Sequence, residues 1–542
     1  MNRKPNIIII NPDEMRWNTM GHMGNLAAVT PTLDNFAANE AVSFSNAYCQ
    51  NPVCVPSRCS FFTGLYPHTT GHRTMGHLLR SHETSLLKEL KEAGYYVWAN
   101  ARNDLVAGQT EGMIESHVTE MFYGGNVPPA PGFVKVNPRG LPTDPEFYSF
   151  CNGQLQVDQD GLNYTSDDED VDAAIERIFH PVDDRPLCIF LGLLYHHPPY
   201  NVEDPYYSAI DRSKLPPRIR AELCSGKAKM LELLREYMNL DKMTQEQWHE
   251  LQAIYLAMTA KVDAQLEKLL NALRASGEYD HSLIVFLSDH GDYAGDYDVI
   301  EKAQNCFEDD LTRVPLLIKP PKGSPVDPGI SDSLVELVDF YATVMDYAGV
   351  VPTHSHYGKS LAPIVADRKR EIRQAVFCEG GRLASEKHCS ESVDPSIQNG
   401  FRNNVMWPRY AAQFDDEAHA KGAMIRTRKW KYIYRAHGKC ELYDMEQDPQ
   451  EMVNCVEDAA LTDVVLQLKE QLLLWYQDTA DTVPYDKDER FSKAMIWEKV
   501  KYMCPAGYEE DVRAKIENGM GLFPAKFYCQ DLRKKLTEAG KG

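Results

Sequence analysis

Four consecutive isoleucines, Ile7–Ile10, stand between a charged start and the turn residues Asn11, Pro12 and Asp13. A short β-branched run without a polar position predicts a strand buried on both faces. Two further runs have the same form. Leu187–Leu194 is closed by Tyr195, His196, His197 and Pro198, and Leu283–Leu287 by Ser288, Asp289, His290 and Gly291. Between them, from Trp248 to Leu273, apolar residues recur at steps of three and four (Leu251, Ile254, Tyr255, Met258, Val262, Leu266, Leu269), the period of an amphipathic helix. Strands alternating with helices predict an α/β fold built on a large, mainly parallel sheet sandwiched by helices. Ligands of such sheets bind outside the carboxyl ends of the strands, and each of these three runs ends in residues able to hold one.

After about residue 370 the pattern changes. Ala423–Tyr434 reads as one strand, Glu441–Asp444 as its hairpin partner, and Ala459–Trp475 as an amphipathic helix. A smaller antiparallel α+β subdomain is therefore expected. The expected division is 1–370 for the main domain, 371–480 for the subdomain and 481–542 for an extension rich in charge and aromatics, without a legible role.

Composition narrows the classes. The 542 residues exceed one small core, and 43% hydrophobic with 25% charged residues is ordinary for a soluble globular chain. The net charge of −22 argues against a nucleic-acid partner. It does not exclude an anionic substrate, because one cation and a few basic side chains can dominate the field within a cleft. The apolar run at 7–10 is too short for a signal-peptide core, and no run is long enough to span a bilayer, so a cytoplasmic protein without a membrane partner is expected. Thirteen cysteines, odd in number and without CxxC pairs, suit reduced thiols.

The strongest chemical signal is Cys54-Val55-Pro56-Ser57-Arg58, followed by Thr63-Gly64. It puts a cysteine in a Pro-containing turn entering a helix, where N-terminal amides can face an anion. A guanidinium four residues on can return to the same place. Taken alone, Cys54 reads as a buried structural thiol or as a thiol nucleophile, and no Cys–His–Asn arrangement supports the second. Other motifs accompany it in order: the strand 7–10 with Asp13, His197-Pro198-Pro199-Tyr200, Ser288–Gly291, Lys302 with Arg313-Val314-Pro315, and Glu441–Asp444 with Asp448-Pro449. The ordered set resembles the type I sulfatases, formylglycine-dependent members of the alkaline-phosphatase-like superfamily.

That resemblance implies an enzyme hydrolysing sulfate monoesters of small aryl, steroid or carbohydrate substrates. It implies that Cys54 is converted to Cα-formylglycine, with a formylglycine-generating or anaerobic sulfatase-maturing enzyme as a partner. The hydrated aldehyde offers one hydroxyl to attack sulfur and a second whose collapse expels sulfate. Arg58 stabilises the diol oxyanion. One divalent cation, Ca2+ or alternatively Mg2+, is implied, held by Asp13, Glu14, Asp289, His290 and an oxygen of the modified Cys54. Lys302, Arg102 and His197 surround the sulfate, with His196 the alternative to His197 for protonating the leaving oxygen.

Three positions depart from the family pattern. Glu14 stands where Asp or Gln is usual. Arg102 and Asp104 stand where a Gly-Lys-x-His segment places lysine and histidine. Arg102 can still hold sulfate through a bidentate fork, whereas Asp104 cannot hold an anion directly. His68, His72 and Arg73, after the signature helix, read at least as well as structural residues. The same set also fits a phosphonate or phosphate ester hydrolase, the alternative reading, and leaves a homo-oligomer open.

Overall fold

The computed structural model describes residues 3–125, 151–155, 164–391, 407–485 and 488–540. The chain forms two compact units, Met1–Thr482 and Val483–Gly542.

The first unit is built on a nine-stranded sheet. Its order is Gly329–Glu336, Val42–Tyr48, Leu316–Lys319, Ser282–Leu287, Asn6–Pro12, Leu187–Leu193, Tyr96–Asn100 and Glu120–Phe122, with the short Arg313–Val314 also pairing Val42–Tyr48. The isoleucine run lies at the centre, parallel to both the Leu187 and Ser282 strands. Leu316–Lys319 is antiparallel to both of its neighbours, so the sheet is mixed but mainly parallel. The unbroken apolar run has its reason in the layers. Ile8 and Ile10 pack into the core on one face, and Ile7 and Ile9 into the core on the other.

One core is covered by the long helix Gln245–Ser276, which buries Leu251, Ile254, Met258, Val262, Leu266 and Leu269. A capping box between Thr244 and Gln247 starts this helix, and Gly277 in a left-handed conformation ends it. The opposite core is covered by Cys54–Thr63 and Val338–Ala348, whose Phe61, Phe62 and Phe340 rings pack edge to face.

The C-terminal part of the first unit carries a four-stranded antiparallel sheet in the order Ala375–Gly380, Gly422–Thr427, Trp430–Arg435, Glu441–Asp444, with the helix Thr462–Thr479 after it. The expected single strand 423–434 is therefore two strands. Arg428 and Lys429 form a turn closed by Thr427: the Trp430 amide donates to Thr427 Oγ1 at 2.9 Å, and that hydroxyl donates back to the Trp430 carbonyl at 3.1 Å. Glu441–Asp444 pairs with the second of the two.

Among its described residues the second unit has three α-helices, Lys493–Val500, Glu509–Glu517 and Leu522–Glu538, around a small core that includes Ile496, Val500, Val512, Ile516, Ala525 and Cys529. Among the described residues no helix is long and apolar enough to cross a membrane.

Candidate active site

Five strand ends converge on one edge of the large sheet. Asp13 follows the central strand, and Cys54 opens the helix reached from Val42–Tyr48. Arg102 follows Tyr96–Asn100, and His197 follows Leu187–Leu193. Asp289 and His290 follow Ser282–Leu287, with Lys302 further along that loop. Two glycines permit the close approach. A Cβ on Gly192 would lie 2.3 Å from the Arg102 carbonyl oxygen, and one on Gly291 would lie 1.9 Å from that of Asp310.

Cys54 Sγ lies 3.5 Å from Asp13 Oδ1 and 3.2 Å from His290 Nε2. Burial pushes this thiol well above its ordinary range, and the carboxylates of Asp13 and Asp289 push it in the same direction. At neutral pH the side chain is a protonated thiol, a poor nucleophile. Arg58 is fully buried and divides its nitrogens three ways. Nε donates to Asp289 Oδ2 at 2.7 Å, Nη2 to Asp13 Oδ2 at 3.1 Å, and Nη1 to the Arg102 carbonyl at 2.9 Å. Arg102 Nη2 reaches the same Asp13 Oδ2 at 2.5 Å. Burial alone would raise the pKa of Asp13, but Arg102 and Arg58 outweigh it and hold the carboxyl well below its usual range.

Each aspartate thus gives Oδ2 to a guanidinium; Asp13 Oδ1 faces Cys54, whereas Asp289 Oδ1 accepts from the Glu14 amide at 3.2 Å and the His290 amide at 3.1 Å. Asp13 Oδ1 is 3.6 Å and Asp289 Oδ1 3.9 Å from His290 Nε2. His290 Nδ1 donates to the Gly291 carbonyl at 2.9 Å, which fixes the proton there and leaves Nε2 as a lone pair. Burial lowers the pKa of this ring, so it is neutral. One ligand atom each from Asp13, Cys54, Asp289 and His290 lies within 4.8 Å of all the others. Two buried carboxylate oxygens with one neutral nitrogen are a donor set that fits a divalent cation.

Glu14 stands apart from that group. Its backbone is left-handed, with φ of 64°, and its side chain turns to Lys302, whose Nζ donates to Oε2 at 2.6 Å. The other oxygen, Oε1, is buried without a partner. Ligand atoms of Glu14, His197 and Glu301 form a second convergence, also within 4.8 Å. The expected metal residues are therefore divided between two neighbouring clusters, with Glu14 in the one beside Lys302.

His196 and His197 part company. His196 is fully buried with Nε2 on Thr259 Oγ1 at 2.7 Å, and burial pushes its pKa down to about 3. His197 is half-buried and donates Nδ1 to the Pro198 carbonyl at 2.9 Å. Burial, then the charge of Lys302, holds it well below its ordinary range. Arg102 and His197 line one side of a cavity of about 330 Å³ whose other walls include Tyr195, Asp167 and Asp170. Asp104 approaches Arg58 Nη1 at 3.7 Å. His68, His72 and Arg73 are engaged elsewhere, on Glu379, Glu83 and Glu386.

Two residues at the site carry no motif in the sequence. Glu301 sits 3.5 Å from Lys302 Nζ, and Arg409, from the C-terminal half, pairs with Glu301 and with Glu391 at 2.7 Å. The adjacency of Glu301 to Lys302 was a readable signal; Arg409 arrives only through tertiary folding.

Residues 5–350 match the sulfatase family profile, and residues 386–478 match the N-sulphoglucosamine sulphohydrolase C-terminal profile. The choline-sulfatase of Rhizobium meliloti (strain 1021) is 26% identical over 472 residues, covering 84% of this chain and 83% of that protein. Arylsulfatase K of Danio rerio is 24% identical over 480 residues, covering 83% and 80%. The crystal structure of the phosphonate monoester hydrolase of Agrobacterium radiobacter superposes with a TM-score of 0.67 at 21% identity, covering 88% of this chain and 96% of that one. With the family profile matched over more than half its length, the chain belongs to the sulfatase family of sulfuric ester hydrolases.

Proposed function

We propose that the chain hydrolyses small sulfate monoesters, with residue 54 as a Cα-formylglycine and one divalent cation, calcium or magnesium, beside it. The observation that supports this most strongly is the position of Cys54. It is buried at a helix start between Asp13 Oδ1 and His290 Nε2, where an unmodified thiol is held protonated. The hydrated aldehyde brings two hydroxyls on one carbon, so one can attack sulfur as the alcohol leaves and the other can collapse to the carbonyl and release sulfate.

Asp13, Asp289 and His290 would hold the cation, whose Lewis acidity, when bound, favours the ionised hydroxyl and offsets charge on a sulfate oxygen. Arg58 positions the two aspartates and presents its charge to residue 54. Arg102 is partly exposed to the cavity and can move a guanidinium edge from Asp13 to a sulfate oxygen. Lys302, held by Glu14, adds a further cation. His197 is neutral in the free site. A bound anion raises the pKa of a neighbouring imidazole, which lets the ring take up the proton that the leaving oxygen needs. A cavity of about 330 Å³ suits a small substrate.

The test pairs the mass of the peptide containing Cys54 with rates on p-nitrophenyl sulfate, phosphate and phenylphosphonate. Fully active enzyme carrying an unmodified thiol would refute the mechanism. The second reading, phosphonate or phosphate ester hydrolysis, draws on the three cations Arg58, Arg102 and Lys302, a number that also suits a dianion. A phosphonate rate well above the sulfate rate would put that reading first.

A further inference from the structure

Lys302 is buried beside two carboxylates. Its Nζ donates to Glu14 Oε2 at 2.6 Å and lies 3.5 Å from Glu301 Oε1. Both acids converge with His197. Burial dominates the pKa of His197 and of Cys54, and the Lys302 charge acts on both, so the ammonium lies close to the reacting residues. An ammonium shared by two buried carboxylates is compensated twice over, and an anion that needs it must compete with both.

One arginine relieves half of that competition. Arg409 Nη1 donates to the same Glu301 Oε1, and Nη2 donates to Glu391 Oε2 at 2.7 Å. The other Glu301 oxygen is buried without a partner, so Oε1 receives all the compensation this carboxylate has among the described residues. Gln413 anchors the far end: its Nε2 donates to Glu391 Oε1 at 2.7 Å, and its Oε1 accepts from the Glu391 amide at 2.7 Å. The neighbouring Asp292 is occupied by the Tyr200 hydroxyl at 2.6 Å and the Glu301 amide at 3.2 Å. Glu14, Lys302, Glu301, Arg409 and Glu391 thus form a buried row of alternating charge. Glu301 keeps its place in the row with a left-handed backbone, φ of 63°, a costly conformation for a residue other than glycine.

Without Arg409, the one cation left within reach of Glu301 is Lys302. A buried carboxylate does not stay uncompensated, so the ammonium would be drawn onto Glu301 and away from the anion. We infer that Arg409 is a positioning residue: by occupying Glu301 it leaves Lys302 available to substrate. It acts through Glu301, and the role rests on the proposed contact of Lys302 with sulfate.

Calorimetric titration of inorganic sulfate into the full chain, with calcium present, tests this in the parent, Arg409→Met, Glu301→Gln and the double variant, each checked for its melting transition. Arg409→Met should bind sulfate at least about ten-fold more weakly. Glu301→Gln should bind it at least about three-fold more tightly, because a like charge beside the anion is gone. The double variant should return to within about three-fold of the parent, the non-additivity of residues in contact. An arginine that only braces the fold gives another pattern, with both single variants weakened. That pattern, or unchanged affinity in Arg409→Met, would overturn the inference. Should Arg409→Met fold poorly, tightening in Glu301→Gln and its reversal in the double variant carry the test, and loss of either overturns it. A crystal structure of Arg409→Met gives a readout free of sulfate. Lys302 Nζ should lie within about 3.2 Å of Glu301; an ammonium still 3.5 Å away would count against the role. A parent that binds no sulfate would fell the proposed reading of the site, and the position of Lys302 would then decide the role of Arg409 by itself.

Discussion

Arg58 and Asp289 meet with Nε 2.7 Å from Oδ2, and neither side chain is exposed. A guanidinium sealed at this depth is held by geometry as much as by charge, since its remaining nitrogens serve Asp13 and the Arg102 carbonyl. Lysine keeps the charge but cannot span the three partners. Removing one partner of a buried pair costs about 3–5 kcal/mol. Arg58→Lys should therefore lower the melting temperature and reduce kcat at least about 100-fold. A variant melting like the parent would show that the three contacts matter little.

Cys54→Ser should keep the fold, because the side chain changes by one atom in a buried site. Serine has a single hydroxyl and no collapse route, so a sulfated serine should accumulate after one turnover. Intact mass before and after substrate addition reads the adduct. Multiple turnovers at the parent rate would exclude the two-hydroxyl mechanism.

Acid should loosen the fold partly through His196. Its pKa is about 3 when folded and 6.5 as a free side chain. Below pH 6.5 the unfolded chain takes up this proton and the folded chain does not, so stability is full above 6.5 and declines as the pH falls towards 3. The slope is at most about 1.4 kcal/mol per pH unit for one proton. Urea unfolding at pH 6.5 and 4.5 should show a smaller loss in His196→Gln than in the parent; equal losses would remove His196 from the acid response.

Gly192→Ala would place a methyl 2.3 Å from the Arg102 carbonyl. Relieving that overlap costs about 1–3 kcal/mol and moves Arg102. The expected result is a modest drop in melting temperature with a rise in KM larger than the fall in kcat. An unchanged KM would mean that Arg102 does not bind substrate.

Chelation should inactivate the enzyme and lower its melting temperature, and calcium or magnesium should restore both. A cation at 100 times its Kd stabilises the fold by about 2.7 kcal/mol. Asp289→Asn should lose this metal-dependent rise. A melting temperature indifferent to chelator and to added metal would reject the Asp13–Asp289–His290 site.

The strands at 7–10, 187–193 and 283–287 were legible because a doubly buried parallel strand leaves a signature that few other structures do. The helix Gln245–Ser276 was legible from its period between Trp248 and Leu273. The Thr427 turn was not, since Arg, Thr and Lys are as acceptable within a strand as between two. At the site, strand ends announced Asp13, His197, Asp289 and His290. Side-chain direction was not announced. Nothing in the order Asp13-Glu14 tells that the second carboxylate turns to Lys302; a left-handed backbone decides it. Arg409 was hidden for a different reason. It reaches Glu301 across 108 positions, and no local pattern records such a partner.

Every residue of Cys54–Thr63 is buried. On the proposed maturation, a separate enzyme would have to enclose the Cys54 side chain to oxidise it, and the buried helix start of the finished fold leaves little room for that. Residue 54 therefore has a deadline. The groups that seal it, Asp289 and His290, lie far downstream, so during synthesis the thiol emerges long before its cover does. On that proposal, the stretch of chain between Cys54 and Asp289 would act as a clock, and a maturation enzyme would have to work before it runs out.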